Sequence, residues 1–357
     1  MKKVLLTLAA VATLAACSTE KTMDFAKDAI AFDNAFVDNA TKSVSDPSYT
    51  NDKLFGDFAV FGFVEGAVLF DGTQVTGSAI NGNWSYTGTQ YWIAGANYNF
   101  AAVAPMTDGG WEKTSSSVDV ENDELKYTVT TNLSFTNNGT TDILYADAGK
   151  IQGKASDNEM VAFTFRHILS KVKFSFENAY NASAATIKVY DIKITNAYKT
   201  GNVALTEAST TWSGQAQAPA NDFVLDFGAA VADNADTQAD AYAFSQTLES
   251  YNELLLIPGA VDGGYNVTFN VDLLVSGQKI KTYNHTAKVN FAPAPGTCYD
   301  IKAVVNAENI DPEQEQEAIE FTVTAIDGWA NPADGNDADE DPDQPEAEIQ
   351  ENTNSNN

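Results

Sequence analysis

The chain has 357 residues, with 49 acidic against 20 basic side chains and a formal net charge of −29, which places its pI near 4.1. A chain of that sign with a single arginine, Arg166, has no basic cluster with which to neutralise phosphates, so a nucleic-acid partner is excluded. His167 and His285 are the only histidines, too few for a His-based metal centre or a Ser-His-Asp arrangement. No catalytic residue, metal or cofactor is expected.

Met1-Lys2-Lys3 and the apolar run from Val4 to Ala16 read as the positive and apolar regions of an export signal, and the run is too short to span a bilayer. It closes in Leu14-Ala15-Ala16-Cys17, which is similar to a bacterial lipobox. On that likeness the bond between Ala16 and Cys17 is cut, and Cys17 becomes an acylated N-terminus held in outer-membrane lipid. Each buried acyl CH₂ contributes about 0.8 kcal/mol, so several chains together bind almost irreversibly. The plainer alternative is an ordinary cleaved signal with an incidental cysteine. Residues 1–16 are thus the signal and 17–28, polar and short of aromatics, a flexible tether. The other cysteine, Cys298, has no free partner once Cys17 is acylated, so stability must come from burial. No later stretch approaches the roughly eighteen apolar residues of a membrane helix.

Beyond the tether, Ala29 to Phe32 is a short apolar piece followed by polar sequence to Leu54. Phe58 to Val64 and Ala67 to Phe70 are aromatic and β-branched runs separated by Glu65-Gly66 and closed by Asp71-Gly72, the pattern of strands joined by tight turns. Trp84 to Tyr86, Tyr91 to Ile93, Tyr98 to Val103 and the alternating Leu125 to Val129 continue it. A stretch rich in Asp, Gly, Lys and Ser, Ala146 to Asn158, predicts a linker. After it, Phe163 and Phe165 share one face and Val172, Phe174 and Phe176 another, which predicts two strands with a bend near His167. Further strands are predicted at Ile187–Ile194, Phe223–Phe227, Leu254–Ile257, Tyr265–Val275, Lys279–Tyr283, Ala287–Phe291, Tyr299–Val305 and Ile319–Val323, with turns at Asp262-Gly263-Gly264 and Ser276-Gly277. One helical stretch is predicted around Ala241–Ser250. Many short strands at this spacing indicate antiparallel β-sandwiches, and the length suits two domains, 29–150 and 159–331, before an acidic, disordered tail over 332–357.

Phe58 to Phe63, Tyr91-Trp92, Tyr98 to Pro105, Leu254 to Pro258, Gly296 to Ile301, Phe321 to Trp329 and above all Phe165-Arg166-His167-Ile168-Leu169-Ser170-Lys171-Val172 together resemble the fimbrillin (Mfa-like) family of lipoproteins from Bacteroidales. The resemblance covers roughly residues 29 to 331. It implies two transthyretin-like β-sandwich domains, an all-β fold, and a structural or adhesive subunit of type V pilus kind displayed on the cell surface. It implies as partners other fimbrial subunits or the chain itself, and a host or bacterial surface ligand. It further implies that the first strand lies beside a late strand of its own domain, with antiparallel pairing, until proteolysis in the following loop removes it and a neighbour's strand takes its place, which is the physics of strand addition at an open edge. The arginine usual in that loop is absent; Thr41-Lys42-Ser43 stands there, so Lys42 is the candidate processing site, against the plain alternative of an exposed loop lysine.

Other constellations have simpler readings. His167 is expected to pack at the strand bend, and His285 to sit in a loop between two strands. Asp337, Asp339, Asp341 and Glu348 have the spacing of a calcium loop, but Pro342 stands where that loop needs glycine, so the acidic tail explains them. That tail, continuing past Trp329, sits awkwardly with a C-terminal strand that must enter a neighbour and leans towards a tip, cap or non-polymerising role. Trp84, Tyr86, Tyr91, Trp92 and Trp111 offer the material for a sugar-stacking platform, the basis of the alternative reading as a surface glycan-binding lipoprotein; in strands such aromatics more often serve the core.

Overall fold

The computed structural model describes residues 29–37, 56–77, 84–121, 126–155, 157–180, 185–219, 222–232, 247–311 and 318–326. Among them every regular element is a strand. In chain order these are β1 (Phe32–Val37), β2 (Asp57–Val64), β3 (Ala67–Thr76), β4 (Ser85–Tyr86), β5 (Asn97–Ala104), β6 (Trp111–Glu121), β7 (Lys126–Thr136), β8 (Leu144–Gln152), β9 (Val161–His167) and β10 (Ser170–Asn178). They continue as β11 (Ala185–Ile194), β12 (Tyr198–Thr206), β13 (Ser209–Gln217), β14 (Leu225–Ala232), β15 (Thr247–Ser250), β16 (Leu254–Leu256), β17 (Tyr265–Val275), β18 (Gln278–Val289), β19 (Cys298–Val305) and β20 (Phe321–Ile326).

A seven-stranded sheet runs β1-β9-β8-β5-β2-β3-β4. Its middle strands, β2 and β5, are buried almost from end to end because both faces of the sheet are covered, which is why they read as continuous rather than alternating apolar runs. Phe58, Val60, Tyr98, Phe100 and Ala102 face one core. Ala59, Phe61, Phe63, Ala101 and Val103 face another. The second of these cores is closed by a four-stranded sheet, β13-β12-β7-β6, which contributes Val129, Leu133 and Phe135 from β7 and Val203 and Leu205 from β12.

The remaining strands form a nine-stranded sheet ordered β18-β17-β11-β14-β15-β10-β19-β20, with β16 paired to β10. It curls around its own apolar face: Phe321 of β20 at one end meets Phe269 of β17 near the other, with ring centroids 5.8 Å apart. Val172, Phe174, Phe176, Ile187, Phe227 and Ile301 fill the interior.

Most strands expected from alternation are present, and Tyr265–Val275 is present residue for residue. Several elements differ. The stretch 146–158, read as a linker, contains the greater part of β8, whose Gly149 takes a φ of 65°; the glycine and the Asp147 carboxylate, which accepts the Gly149 N–H at 2.7 Å, supply a local kink rather than a break in the sheet. Next, β9 pairs with β1 and β8, so Val161–His167 completes the first sheet, and the chain changes sheets at Ile168–Leu169. The predicted helix over 241–250 overlaps β15, whose Leu248 is buried between β10 and β14; residues 241–246 lie outside the described set. Lys279–Tyr283 and Ala287–Val289 belong to one long strand, β18, which ends before Phe291, and His285 belongs to it rather than to a loop. Pairing is antiparallel throughout except that β1 runs parallel to β9 and β10 parallel to β19; both pairs join segments separated by most of a sheet's sequence, the long crossover that a parallel pairing needs.

Gly62 shows how tightly the first core is closed. A Cβ placed there would stand 2.6 Å from Phe70 Cδ2 and 3.0 Å from Phe100 Cδ1, both in rings that are themselves buried. Gly62→Ala is expected to cost about 1–3 kcal/mol by overpacking, read as a lowered midpoint in urea unfolding, while Gly56→Ala, with open space around it, leaves that midpoint unchanged.

Candidate functional site: the seat of the first strand

Residues 29–37 bridge both ends of the seven-stranded sheet. Ile30 donates its N–H to Gln90 O at 2.8 Å and accepts the Tyr86 hydroxyl at 2.8 Å, and Ala29 pairs with Tyr91, all beside β4. One residue on, Ala31 O accepts Val161 N–H at 2.8 Å, and from Phe32 the chain runs along β9 through Val37. The strand thus begins at Phe32, later than the Ala29–Phe32 piece suggested, and it lies beside a late strand of its sheet.

Phe32 is the anchor of this seat. Its ring lies within about 6.2 Å of those of Phe58, Phe70, Tyr86, Phe100 and Phe163, and the side chain is buried. Edge-to-face aromatic pairs each contribute roughly 0.5–1.5 kcal/mol beyond their area. Ile30, also buried, joins the same core. Take the strand away and what remains is an apolar trough floored by Phe58, Phe70, Phe100 and Phe163 and walled by the unpaired edge of β9, both costly in water.

The sequence-predicted residues fall unevenly around this seat. Ala16, Cys17 and Lys42, with the tether and the acidic tail including Asp337 to Glu348, lie outside the described residues. His167 is at the bend, as expected, its Nδ1 bonded to the half-buried Asp142 carboxylate. His285 stacks on Phe269 at 4.9 Å and its imidazole is pushed by burial below the ordinary histidine value. Burial raises the Cys298 thiol to about 11, which keeps it unreactive. Among the described residues no group of three or more His, Cys, Asp or Glu is placed to hold a metal ion. The five aromatics considered as a platform are not assembled into one: Trp92 is buried, Trp84 and Tyr86 pack on the first core, and Trp111 packs on the second with its indole N–H on Pro105 O at 2.7 Å. Tyr91 alone of the five is exposed.

Arg166 has a role that sequence reasoning did not assign. Its guanidinium lies over the Tyr145 ring at 4.8 Å and donates to Thr206 O at 2.6 Å, Ser209 O at 3.0 Å and Glu207 O at 3.2 Å. It therefore holds the β12–β13 turn against β8 and β9. Beneath it, burial pushes the Asp147 carboxyl up to about 6, Glu207 adding to the rise and the Gly149 N–H opposing it.

The sequence profile of the fimbrillin-like family matches residues 39–329. The chain belongs to the fimbrillin-like family. No curated protein matches it. Among solved structures, this fimbrillin-like chain is similar to a candidate cell adhesion protein from Bacteroides ovatus, at 14% identity over 85% of this chain and 99% of that one with a TM-score of 0.46. A second such protein, from Bacteroides uniformis, shares 15% identity over 84% of this chain and 97% of its own, with a TM-score of 0.42. The fimbrial anchor protein Mfa2 from Porphyromonas gingivalis shares 13% identity over 83% and 96%, with a TM-score of 0.33.

Two outcomes follow for this fimbrillin-like fold. Phe32→Ala is expected to lower stability by about 3–5 kcal/mol, measured by urea unfolding of the uncut chain. Asp147 has a raised folded pKa, so between about 4 and 6 the folded state holds the proton that the unfolded state has lost; stability falls as pH rises through that window and stays lowered above it. Asp147→Asn is expected to flatten unfolding free energy against pH across that window and to raise it at pH 7 by up to about 3 kcal/mol.

Proposed function

We propose that this fimbrillin-like chain is a structural or adhesive subunit of a fimbrial-type surface assembly, without enzymatic activity, delivered to the outer membrane through lipid on Cys17 and able to join other subunits by strand donation once β1 is removed. The observation that carries this reading is the seat of β1: a single edge strand, attached to β2 and the rest of the chain only through the stretch 38–55 that follows it, plugs an aromatic trough of the kind that a donated strand fills in one register. Lys42 lies in that connecting stretch, so a cut there would separate β1 and the lipid from the body of the chain while leaving β2 onwards intact. Two units remain the preferred organisation, first read as 29–150 and 159–331; the pairing of β9 with β1 and β8 supports moving the limit to Ile168–Leu169.

A polymerising subunit, a tip and a displayed monomer differ in what becomes of the first strand on the cell. Protein recovered from the outer membrane is expected to begin at Ser43 in wild type and to retain the acylated Cys17 terminus in Lys42→Ala, with filaments in electron micrographs only in the former. Cys17→Ala is expected to lose surface display altogether. Recovery of wild type solely as the acylated, uncut chain overturns processing at Lys42, and undiminished display of Cys17→Ala overturns the lipid anchor.

A further inference from the structure

The free edges of the described sheets are defended unequally. Edge strand β18 carries Lys279, Lys281 and Lys288, and edge strand β6 carries Glu112 and Lys113; charges on an edge are the usual means of discouraging a second sheet from pairing there. The ends at β1 and β4 are tied to each other through residues 29–31. Edge strand β20 (Phe321–Ile326) has no charged side chain either, but it faces β18 across a cleft lined by Lys288 and Glu320. Edge strand β13 is both uncharged and open. Its nine residues, Ser209–Gln217, include no charged side chain and no proline, in a chain whose net charge is −29.

The strand is also rigidly held. Trp212 donates its indole N–H to Ile168 O at 3.0 Å, Gln215 donates to Pro258 O at 3.2 Å and Gln217 to Asn196 O at 2.8 Å, and the turn before it is fixed by Arg166. From Ser209 to Ser213 its register with β12 is unbroken; the irregularities lie further on, towards Gly214. Along this run alternate residues direct backbone N–H and C=O groups away from β12, so a straight, preorganised ladder faces outwards. On the outer face of the four-stranded sheet the rows beside β13 are uncharged as far as β7, and Glu112 of β6 stands beyond, opposite Ser134. Cross-strand rows place Ser115 by Asn132, Asn132 by Ala204 and Ala204 by Thr211, and beside them Ser134 by Asn202 and Asn202 by Ser213.

We propose that β13 is a self-association edge at which a second copy of this chain pairs antiparallel, β13 against β13, about a two-fold axis near Thr211, joining two four-stranded sheets into one. Such an axis sets Thr211 opposite Thr211 of the second copy and Ser209 opposite its Ser213, self-complementary pairs of small hydroxyl side chains that hydrogen-bond across strands. The choice of a second copy rests on charge. Two molecules each of −29 repel over most of their surfaces, and an uncharged seam is where they meet at least electrostatic cost. A basic partner would find nothing at β13 to recognise. The contact is lateral and leaves the seat of β1 untouched, so it is independent of strand donation.

The test uses residues 17–357 carrying Cys17→Ser. Sedimentation velocity across a concentration series is expected to show a reversible monomer–dimer equilibrium that tightens as NaCl rises from about 20 mM to about 300 mM and the acidic bodies are screened. Thr211→Lys, which sets like charges face to face, is expected to weaken the dimer at least about tenfold, or 1.4 kcal/mol, with an unchanged melting temperature. Antiparallel partners stand about 4.5–5.5 Å apart at Cα, within disulfide reach; Thr211→Cys is therefore expected to oxidise to a covalent dimer, and Ser117→Cys on the same outer face to stay monomeric. A wild type that remains monomeric at all concentrations and salts overturns the proposal. So do equal cross-linking of Thr211→Cys and Ser117→Cys, and capture by Thr211→Cys on intact cells of a different protein in place of a second copy.

Discussion

The seven-stranded sheet is covered on both faces, and that constraint shapes the molecule. A sheet with one wet face needs only alternate apolar residues; one with two dry faces needs nearly every residue of its middle strands to be apolar, and β2 and β5 meet that demand with Phe58 to Phe63 and Tyr98 to Ala104. Covering two faces requires two lids. One is the four-stranded sheet. The other has no sheet of its own: it is made by curling the same sheet until β1 reaches β4, with Trp84, Tyr86 and Trp92 packed into the gap. The last stave of that curl is a short segment at the chain's beginning, so the integrity of an entire core depends on one strand that is covalently attached through a long connection. A removable plug follows from the way the second face is covered.

The two parts of the chain share a sheet. The four-stranded sheet takes β6 and β7 from before the change of sheet at Ile168–Leu169 and β12 and β13 from after it, and Leu255 and Ile257 from the later half enter the core beneath. Arg166 reinforces the same junction. Its N–H donors, set in a fixed fork, suit the carbonyls of a tight turn, a task that a lysine's compact ammonium could not perform with the same geometry. That a chain with 20 basic residues places its single arginine at this junction is explained by the geometry of the turn.

What is legible in the sequence is what the hydrophobic pattern records. Continuous runs such as Phe58–Val64 and alternating ones such as Tyr265–Val275 announce strands because burial on two faces or one leaves a direct mark. The hairpin β12–β13 leaves almost none, because only Tyr198, Val203, Leu205 and Trp212 pack inwards along it, and the rest is largely Ser, Thr, Asn, Gln and Gly, indistinguishable from loop by composition. β8 reads as a linker for a related reason: after Leu144, Tyr145 and Ala146 come Asp, Ala, Gly and Lys before Ile151 and Gln152, and the positive φ at Gly149 belongs to a bulge that looks like a turn in one dimension. The seat of β1 is legible as an idea carried by family resemblance, yet its start and its parallel pairing are not, since register with β9 is set by contacts made far away in sequence.

Polar strands and apolar strands thus answer different questions here. The apolar pattern fixes which segments are interior and so decides the fold; it says nothing about how finished molecules meet. The polar pattern does. On β18 and β6, lysine and glutamate make the edge costly to approach, whereas β13 has the hydroxyls of serine and threonine, which neither repel a copy nor disfavour water. A strand of that composition contributes little to the core beyond Trp212 and could have carried charge at its outward positions at no cost to folding. Because outward charge there is free of structural penalty, its absence from an otherwise acidic surface is a property of the surface itself, and the contact argued for β13 is the physical use that fits it.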